Sequence, residues 1–115
     1  MARRTGLGAG VRRGDVCWYT FQPPDKRRPV LVLTRDSAIR VLNSVTVAPI
    51  TSTVRDIPSE LLLTAADGMP ATCAANFDNL QTVPKGKPGE RIAHIPSRRM
   101  RDAAKALTFA LALDE

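Results

Sequence analysis

An arginine and a row of hydroxyl side chains stand at the ends of two predicted strands. Arg28 comes directly before a run of apolar strand formers, so its guanidinium is expected to project from the strand end and not into the core. Thr51, Ser52 and Thr53 stand where Pro49 interrupts the next strand. If the two ends are neighbours, a fixed cation and hydroxyl donors can hold a phosphodiester and stabilise charge on its non-bridging oxygens. A solvated arginine beside a polar turn is the alternative, and these residues alone leave it open.

The charge balance points to an anionic partner. The 115 residues contain 17 Lys and Arg against 11 Asp and Glu, which gives a net charge of +6. Such a balance is typical of proteins that bind nucleic acid or another polyanion. A basic surface without a partner is the alternative.

Several catalytic chemistries lack the residues they need. The sequence has one histidine, and no set of side chains stands at metal-ligand spacing, so we expect no metal site and no cofactor. A nuclease that uses two histidines is excluded for the same reason. His94 itself is interpreted either as a proton shuttle or as a strand-end histidine bonded to backbone. Cys17 and Cys73 are expected to be reduced and buried, because no export signal precedes them.

The order of the elements predicts a mainly β fold with helices, a small and partly open β-barrel with a C-terminal helix. Residues 12–115 are predicted to form a single domain, preceded by a disordered basic lead over residues 1–11. No apolar run is long enough to span a membrane, and the expected location is the cytoplasm. Five or six short strands are expected, at 16–21, 29–34, 45–51, 61–64, 72–77 and 80–83.

Two helices complete the prediction. Asp36 is expected to cap a short helix that ends at Val41, and Ser97 is expected to cap a long helix that ends near Leu113. The second half of the long helix is apolar around much of its circumference, which favours a homodimer. Its predicted core-facing stripe is Met100, Ala103, Ala104, Leu107 and Leu111, and the apolar residues off that stripe are Ala106, Phe109, Ala110 and Leu113.

Four segments together resemble the MazF/PemK/Kid family of toxins. They are Arg-Gly-Asp-Val at 13–16, Arg-Pro-Val-Leu-Val-Leu-Thr at 28–34, Val-Ala-Pro-Ile-Thr at 47–51 and Asp-Asn-Leu-Gln-Thr at 78–82. The resemblance covers about residues 12–113. It implies a dimer of SH3-like barrels that acts as a metal-independent, sequence-specific endoribonuclease toxin of a bacterial toxin–antitoxin pair. Its partners would be single-stranded RNA and a cognate acidic antitoxin.

The same resemblance assigns roles to individual residues. Arg28 matches the catalytic arginine of the family and Thr51 its catalytic threonine. The implied reaction is attack of a ribose 2′-hydroxyl on the adjacent phosphorus, which leaves a 2′,3′-cyclic phosphate and a 5′-hydroxyl. Arginine stabilises phosphorane oxygens well and is a poor general base, although the resemblance implies proton transfer by Arg28 as well. The expected RNA contacts are Arg27, Ser52, Thr53, Asp78, Asn79 and Gln81.

The chain departs from the family pattern at two places. The loop at 22–27, before Arg28, is shorter than in the family, and Asn76 stands near the position where the Kid branch places an arginine before its aspartate. Two other functions therefore stay open at this point. One is a non-catalytic toxin of the same fold that poisons gyrase, and the other is a basic SH3-like module that binds nucleic acid without cutting it.

Overall fold

The chain folds into one curled antiparallel sheet and a C-terminal helix. A computed structural model describes residues 10–24 and 26–115, and this part of the chain contains seven strands and two α-helices. The strands are β1 (Asp15–Thr20), β2 (Arg27–Val32), β3 (Ser44–Thr51), β4 (Glu60–Leu63), β5 (Cys73–Asn76), β6 (Gln81–Pro84) and β7 (Arg91–His94), and the helices are α1 (Asp36–Ile39) and α2 (Ser97–Leu111). The five or six strands predicted are fewer than the seven observed, because 91–94 pairs with β1 as a further strand.

The strand order explains the shape of the sheet. The order is β4-β5-β3-β2-β1-β7, and β6 also pairs with β3. Each of these pairings is antiparallel. The predicted mainly β, partly open barrel with a C-terminal helix is confirmed. Within the described residues, no helix has the length and apolar character to cross a membrane.

Strand β2 lies at the centre of the sheet and is buried on both faces. Val30, Leu31 and Val32 have no exposed surface, as the uninterrupted apolar run predicts. Leu31 packs in a larger cluster with Phe77 under α2, whereas Val30 and Val32 pack in a smaller cluster on the opposite face. The same strand therefore anchors both layers of the core.

The lead predicted over residues 1–11 overlaps the described structure at its end. Residues 1–9 lie outside the described residues. Val11 is buried in the smaller cluster, where it packs with Val32 and Ile39. Val11 is thus part of the folded domain and not of a solvated lead, because burial of its apolar side chain is favourable.

Pro49 lies inside β3, and β3 changes partner there. The first half of β3 pairs with β6 through Val47, and the second half pairs with β5 from Ile50 onward. Thr46 accepts a hydrogen bond from the amide of Leu33, next to β2, so its backbone groups face β2. Because these groups alternate along a strand, the nitrogen of Pro49 faces the other side, between β6 and β5. The missing N–H thus falls where no partner strand needs it.

Both predicted helix caps are wrong. The N-cap of α1 is Arg35, and the carboxylate of Asp36 instead accepts a hydrogen bond from the amide of Arg13 at 2.8 Å. The N-cap of α2 is Pro96, and Ser97 is the first helical residue. Neither cap residue makes a side-chain capping bond. In the first case a distant backbone donor competes successfully for the carboxylate that the local pattern assigns to the cap.

The buried stripe of α2 differs from the predicted one. Met100 and Ala103 are buried as predicted, whereas Ala104 is exposed and Leu111 is 51% exposed. Ala106 is buried as well, and Leu107, a residue of the predicted stripe, packs half-buried against the same cluster together with Ala110. Phe109 and Leu113 are 59% and 62% exposed, so the last turns of the helix present apolar side chains to solvent.

Candidate active site

Arg28 and Thr51 lie on neighbouring strands and line the same groove. The antiparallel register pairs Val30 with Pro49. Continued by two residues, it sets Arg28 opposite Thr51. Both side chains are half-buried, and both line a groove of about 340 Å³ at this end of the β2–β3 pair. The structure therefore brings together the cation and the hydroxyl that the sequence places at two separate strand ends.

Two segments with different charge line the groove. Three consecutive cations, Lys26, Arg27 and Arg28, lie just before and at the start of β2. The segment from Met69 to Cys73, which connects β4 to β5 and enters β5, also lines the groove and carries no charged side chain. A groove that combines cations with uncharged side chains suits a chain that has a phosphate backbone and bases.

The hydroxyl of Thr51 is held by the backbone beyond it. The amide of Thr53 donates to Oγ1 of Thr51 at 3.0 Å. Because this bond uses a lone pair of the oxygen, the hydroxyl hydrogen is still available for donation. Ser52, between them, is exposed and lines the groove. The side chain of Thr53 is also exposed, but it is not among the residues that line the groove. Thr53 thus serves the site through its backbone.

The burial of Cys73 keeps its thiol neutral. Removal from water raises the pKa of the Cys73 thiol, and the nearby charge of Asp67 raises it further. Cys73 lines the groove, but its raised pKa opposes the thiolate form that a nucleophile requires.

Asp78, Asn79 and Gln81 lie outside the groove lined by Arg28 and Thr51. Asp78 and Asn79 form a 3-10 turn after β5, and Gln81 begins β6. Their side chains are engaged locally. The hydroxyl of Ser59 donates to the carboxylate of Asp78 at 2.5 Å, and the side-chain amide Nε2 of Gln81 donates to Oδ1 of Asn79 at 3.3 Å. Within one chain, the structure does not bring these three residues to the Arg28–Thr51 pair.

Asn76, which departs from the family pattern, has a structural contact. Its side-chain oxygen accepts a hydrogen bond from the amide of Asp78 at 2.9 Å and so caps the 3-10 turn. An amide side chain at this position thereby fixes the backbone of Asp78.

Trp18 is a candidate that sequence reasoning missed. The guanidinium carbon of Arg27 lies 4.3 Å from the centre of the Trp18 ring system, in a cation–π contact. Alternation along β1 puts Trp18 and Thr20 on one face, and the register pairs Thr20 with Arg27. The alternation is readable from the sequence, but the register that brings Arg27 to the ring is not.

His94 ends β7, as expected for a strand-end histidine, but its bonded partner differs from the expected one. Its Nδ1 lies 2.8 Å from a carboxylate oxygen of Asp15, so its partner is a side chain and not backbone. Asp15 pairs with His94 at the start of β1, whereas Thr20, at the end of β1, pairs with Arg27 beside the groove. His94 therefore lies at the opposite end of the sheet from Thr51.

Among residues 10–24 and 26–115, no group of three His, Cys, Asp or Glu side chains is placed to hold a metal ion.

The fold matches solved structures over most of its length. A structure described as Mycobacterium tuberculosis toxin MazF-mt6 superposes with a TM-score of 0.78 at 35% identity, and the match covers 88% of this chain and 99% of the other. A mycobacterial endoribonuclease solved in complex with its cognate antitoxin gives a TM-score of 0.78 at 25% identity, over 90% of this chain and 97% of the other. The curled sheet with its C-terminal helix is thus the fold of MazF-like toxins.

The sequence comparisons identify the family. Residues 12–111 match the model for the PemK-like, MazF-like toxin of type II toxin–antitoxin systems. A probable endoribonuclease MazF2 of Mycobacterium tuberculosis is 39% identical over 98 residues, which are 84% of this chain and 94% of the relative. Endoribonuclease MazF3 of the same organism is 39% identical over 90 residues, 78% of this chain and 87% of the relative. This chain belongs to the PemK-like, MazF-like toxin family.

Proposed function

We propose that this protein is the toxin of a type II toxin–antitoxin system and acts as a sequence-specific endoribonuclease on single-stranded RNA. One observation carries the proposal: Arg28 and Thr51, separated by more than twenty residues in the sequence, line one basic groove. The relatives that match most of the chain are described as endoribonucleases, which supports the same reaction.

The proposed reaction is an intramolecular transfer within the RNA. The ribose 2′-hydroxyl loses its proton, its oxygen bonds to the adjacent phosphorus, and the 5′-oxygen leaves with a proton. The products are a 2′,3′-cyclic phosphate and a 5′-hydroxyl. Arg28 stabilises the negative oxygens of the phosphorane with charge-assisted hydrogen bonds, and Thr51 donates to a non-bridging oxygen. Because these two side chains supply the charge stabilisation, the proposed mechanism uses no metal ion.

The proposed RNA contacts fall into two groups. Arg27 and Ser52 line the groove, and Thr53 orients Thr51 through its backbone amide. Asp78, Asn79 and Gln81 lie outside the groove, and their proposed role is to contact the RNA farther along the strand, where amides and carboxylates can recognise unstacked bases.

The proposed partners follow from charge and apolar surface. An acidic antitoxin segment would neutralise part of the +6 charge and block the groove. A second copy of the chain would cover the exposed apolar end of α2 at Phe109, Leu111 and Leu113. Light scattering is then expected to give twice 12.5 kDa. The proposed location is the cytoplasm, where RNA and antitoxin are both available.

The test is cleavage of a long, defined RNA in the presence of EDTA. We expect cuts at one short motif with 5′-hydroxyl ends, and loss of these cuts in Arg28→Ala and Thr51→Ala. Lys105→Ala, a charge change on the exposed side of α2, is the control and should cut normally. Intact RNA from a wild-type protein that still arrests growth would contradict the proposal and favour the gyrase poison. Salt-sensitive binding without new RNA ends would favour the binding module.

A further inference from the structure

A second cavity adjoins the candidate active site and shares one residue with it. This cavity has a volume of about 280 Å³, and its lining includes Trp18, Thr20, Gln22, Arg27 and Lys87. Arg27 also lines the groove that contains Arg28 and Thr51. A polymer bound at the scissile phosphate can therefore continue into the second cavity past the Arg27 side chain.

The Trp18 ring and the Arg27 guanidinium form a stacked pair in this cavity. Their separation of 4.3 Å is that of a direct cation–π contact. A planar guanidinium and an aromatic ring are the two kinds of surface on which proteins stack unpaired bases. The cavity thus has the surface that an extruded base requires, next to the proposed cleavage site.

Backbone hydrogen bonds hold Trp18 in place. The amide of Trp18 donates to the carbonyl of Glu90 at 3.0 Å, and the amide of Gly89 donates to the carbonyl of Trp18 at 2.8 Å. These bonds join β1 to the connection between β6 and β7. Lys87 lies in that connection and lines the cavity from the side opposite β2. The backbone that carries the ring is therefore positioned before a ligand arrives, which lowers the entropy cost of binding.

We propose that this cavity, which we call the Trp18 cavity, binds one nucleotide of the RNA strand that flanks the nucleotides in the groove. The base packs on the Trp18–Arg27 pair, Thr20 and Gln22 offer hydrogen bonds to its edge, and Lys87 pairs with its phosphate. This inference rests on the proposed function, and it adds a subsite that fixes which stretch of the strand is engaged. An acidic peptide would use the two cations but not the stacked pair, so the geometry favours a nucleotide.

Fluorescence gives a direct readout, because Trp18 is the one tryptophan of the 115-residue chain. The Thr51→Ala protein, expected to bind RNA without cutting it, is titrated with a single-stranded RNA. We expect saturable quenching of the Trp18 emission as a base stacks in the cavity. RNA that binds, by an independent mobility assay, without changing the emission would overturn the subsite.

Kinetics provide the second readout. Trp18→Ala is expected to lower kcat/KM on a long RNA by roughly 5- to 150-fold, the range for loss of one stacked base. RNA shortened one nucleotide at a time from each end should reach a length at which the wild-type protein shows the same loss. On that shortened RNA, Trp18→Ala should cause no further loss, because the contact is already absent. Independent, multiplicative losses on both lengths would overturn the proposal.

Further variants separate stacking from folding and from bulk charge. Trp18→Phe keeps an aromatic ring and should retain most of the activity, so it reports on stacking even if Trp18→Ala unfolds. Lys87→Ala should weaken RNA binding more than Lys105→Ala, which removes the same charge from an exposed site on α2. Equal losses for the two lysine variants would contradict a phosphate contact at Lys87.

The outcomes also separate this proposal from the nuclease. Normal cleavage without any effect at Trp18 would remove the subsite and leave the proposed function standing. Quenching of Trp18 by an RNA that the wild-type protein never cuts would support the nucleotide site and contradict the proposed nuclease activity.

Discussion

The backbone amide of Thr53 donates to the hydroxyl oxygen of Thr51, two residues earlier in the chain, at 3.0 Å. The bond fixes where the oxygen sits and leaves its hydrogen to be donated into the groove. The proposed catalytic threonine is therefore oriented by a group that any residue except proline supplies.

This arrangement predicts a pattern among four variants. Thr51→Ala should lower kcat roughly 10²- to 10³-fold, the effect of removing one preorganised donor. Thr51→Ser keeps the donor and should retain most activity. Thr53→Ala keeps the amide, whereas Thr53→Pro removes it and should lower kcat about fivefold, as expected for a bond of about 1 kcal/mol. Single-turnover RNA cleavage measures all four, with circular dichroism as the folding control. Equal activities for Thr53→Ala and Thr53→Pro would contradict the orienting bond.

Arg99 joins α2 to the sheet, and its ion pair with Asp67 makes the free energy of unfolding depend on pH. Its Nε donates to the carboxylate of Asp67 at 2.8 Å, and its Nη1 donates to the carboxylate of Asp102 at 2.7 Å. The hydrogen bond from Arg99 lowers the pKa of Asp67 below its ordinary 3.8. The carboxylate therefore stabilises the fold fully above about pH 4, and this stabilisation is lost as the pH falls through the lowered value.

The measurement is urea unfolding at several pH values. Asp67→Asn should cost about 1–2 kcal/mol at pH 7, and the difference from wild type should shrink below about pH 4. Arg99→Ala should behave similarly, whereas Arg101→Ala, an exposed arginine of the same helix, should cost less than about 0.5 kcal/mol. A difference that grows as the pH falls would contradict the assigned direction.

Asp15 is completely buried and its carboxylate is shared by three donors. It accepts from the amide of Arg12 at 2.9 Å and from His94 at 2.8 Å, and Arg91 lies 3.5 Å away. Asp15→Ala leaves these donors without their acceptor, and we expect a loss of about 3 kcal/mol in the free energy of unfolding.

Asp36→Ala is the matched control for that loss, because the carboxylate of Asp36 also accepts one backbone amide but is exposed. Its expected cost is about 1 kcal/mol or less. Chemical denaturation of both variants compares the two, and similar losses would show that the burial of Asp15 adds nothing.

The two buried cysteines are expected to be protected from alkylation in the folded protein. Both are free and buried, in agreement with the expectation from the sequence. Burial, and then the charge of Asp15, raise the pKa of the Cys17 thiol from 9.0 to about 11, so little thiolate is present at pH 8. Iodoacetamide at pH 8 should leave both thiols unmodified by mass spectrometry until guanidinium unfolds the chain. Labelling of the native protein at the rate of the unfolded one would contradict this.

The sequence predicts those parts of the fold that depend on local pattern. The uninterrupted apolar run of β2 and the long apolar-rich C-terminal helix are such local signals, and both elements are confirmed. The cap at Asp36 fails because its carboxylate accepts the amide of Arg13, which is distant in sequence. The cap at Ser97 fails because the helix begins at Ser97 itself, one residue earlier than predicted. The count of strands fails at 91–94, a short and partly polar segment whose pairing with β1 decides its conformation.

The candidate site divides in the same way. Arg28 and Thr51 are recognisable because the motifs around them are contiguous in sequence, and the register of β2 and β3 brings them together. The Trp18 cavity is not recognisable, because it joins β1, the start of β2 and the connection after β6. Its members share no motif, and only the strand pairing shows that they are neighbours.

Pro49 limits how β3 can be aligned. Val47 and Thr51 stand two residues to either side of it and face the same neighbours, β6 and β5. A slip of β3 by two residues in either direction would put the proline where a partner strand requires an N–H, and a slip by one would turn its core face outward. The proline thus fixes the register of β3 against its neighbouring strands. The pairing of Thr51 with Arg28 across β3 and β2 therefore depends on Pro49, a residue that does not itself line the groove.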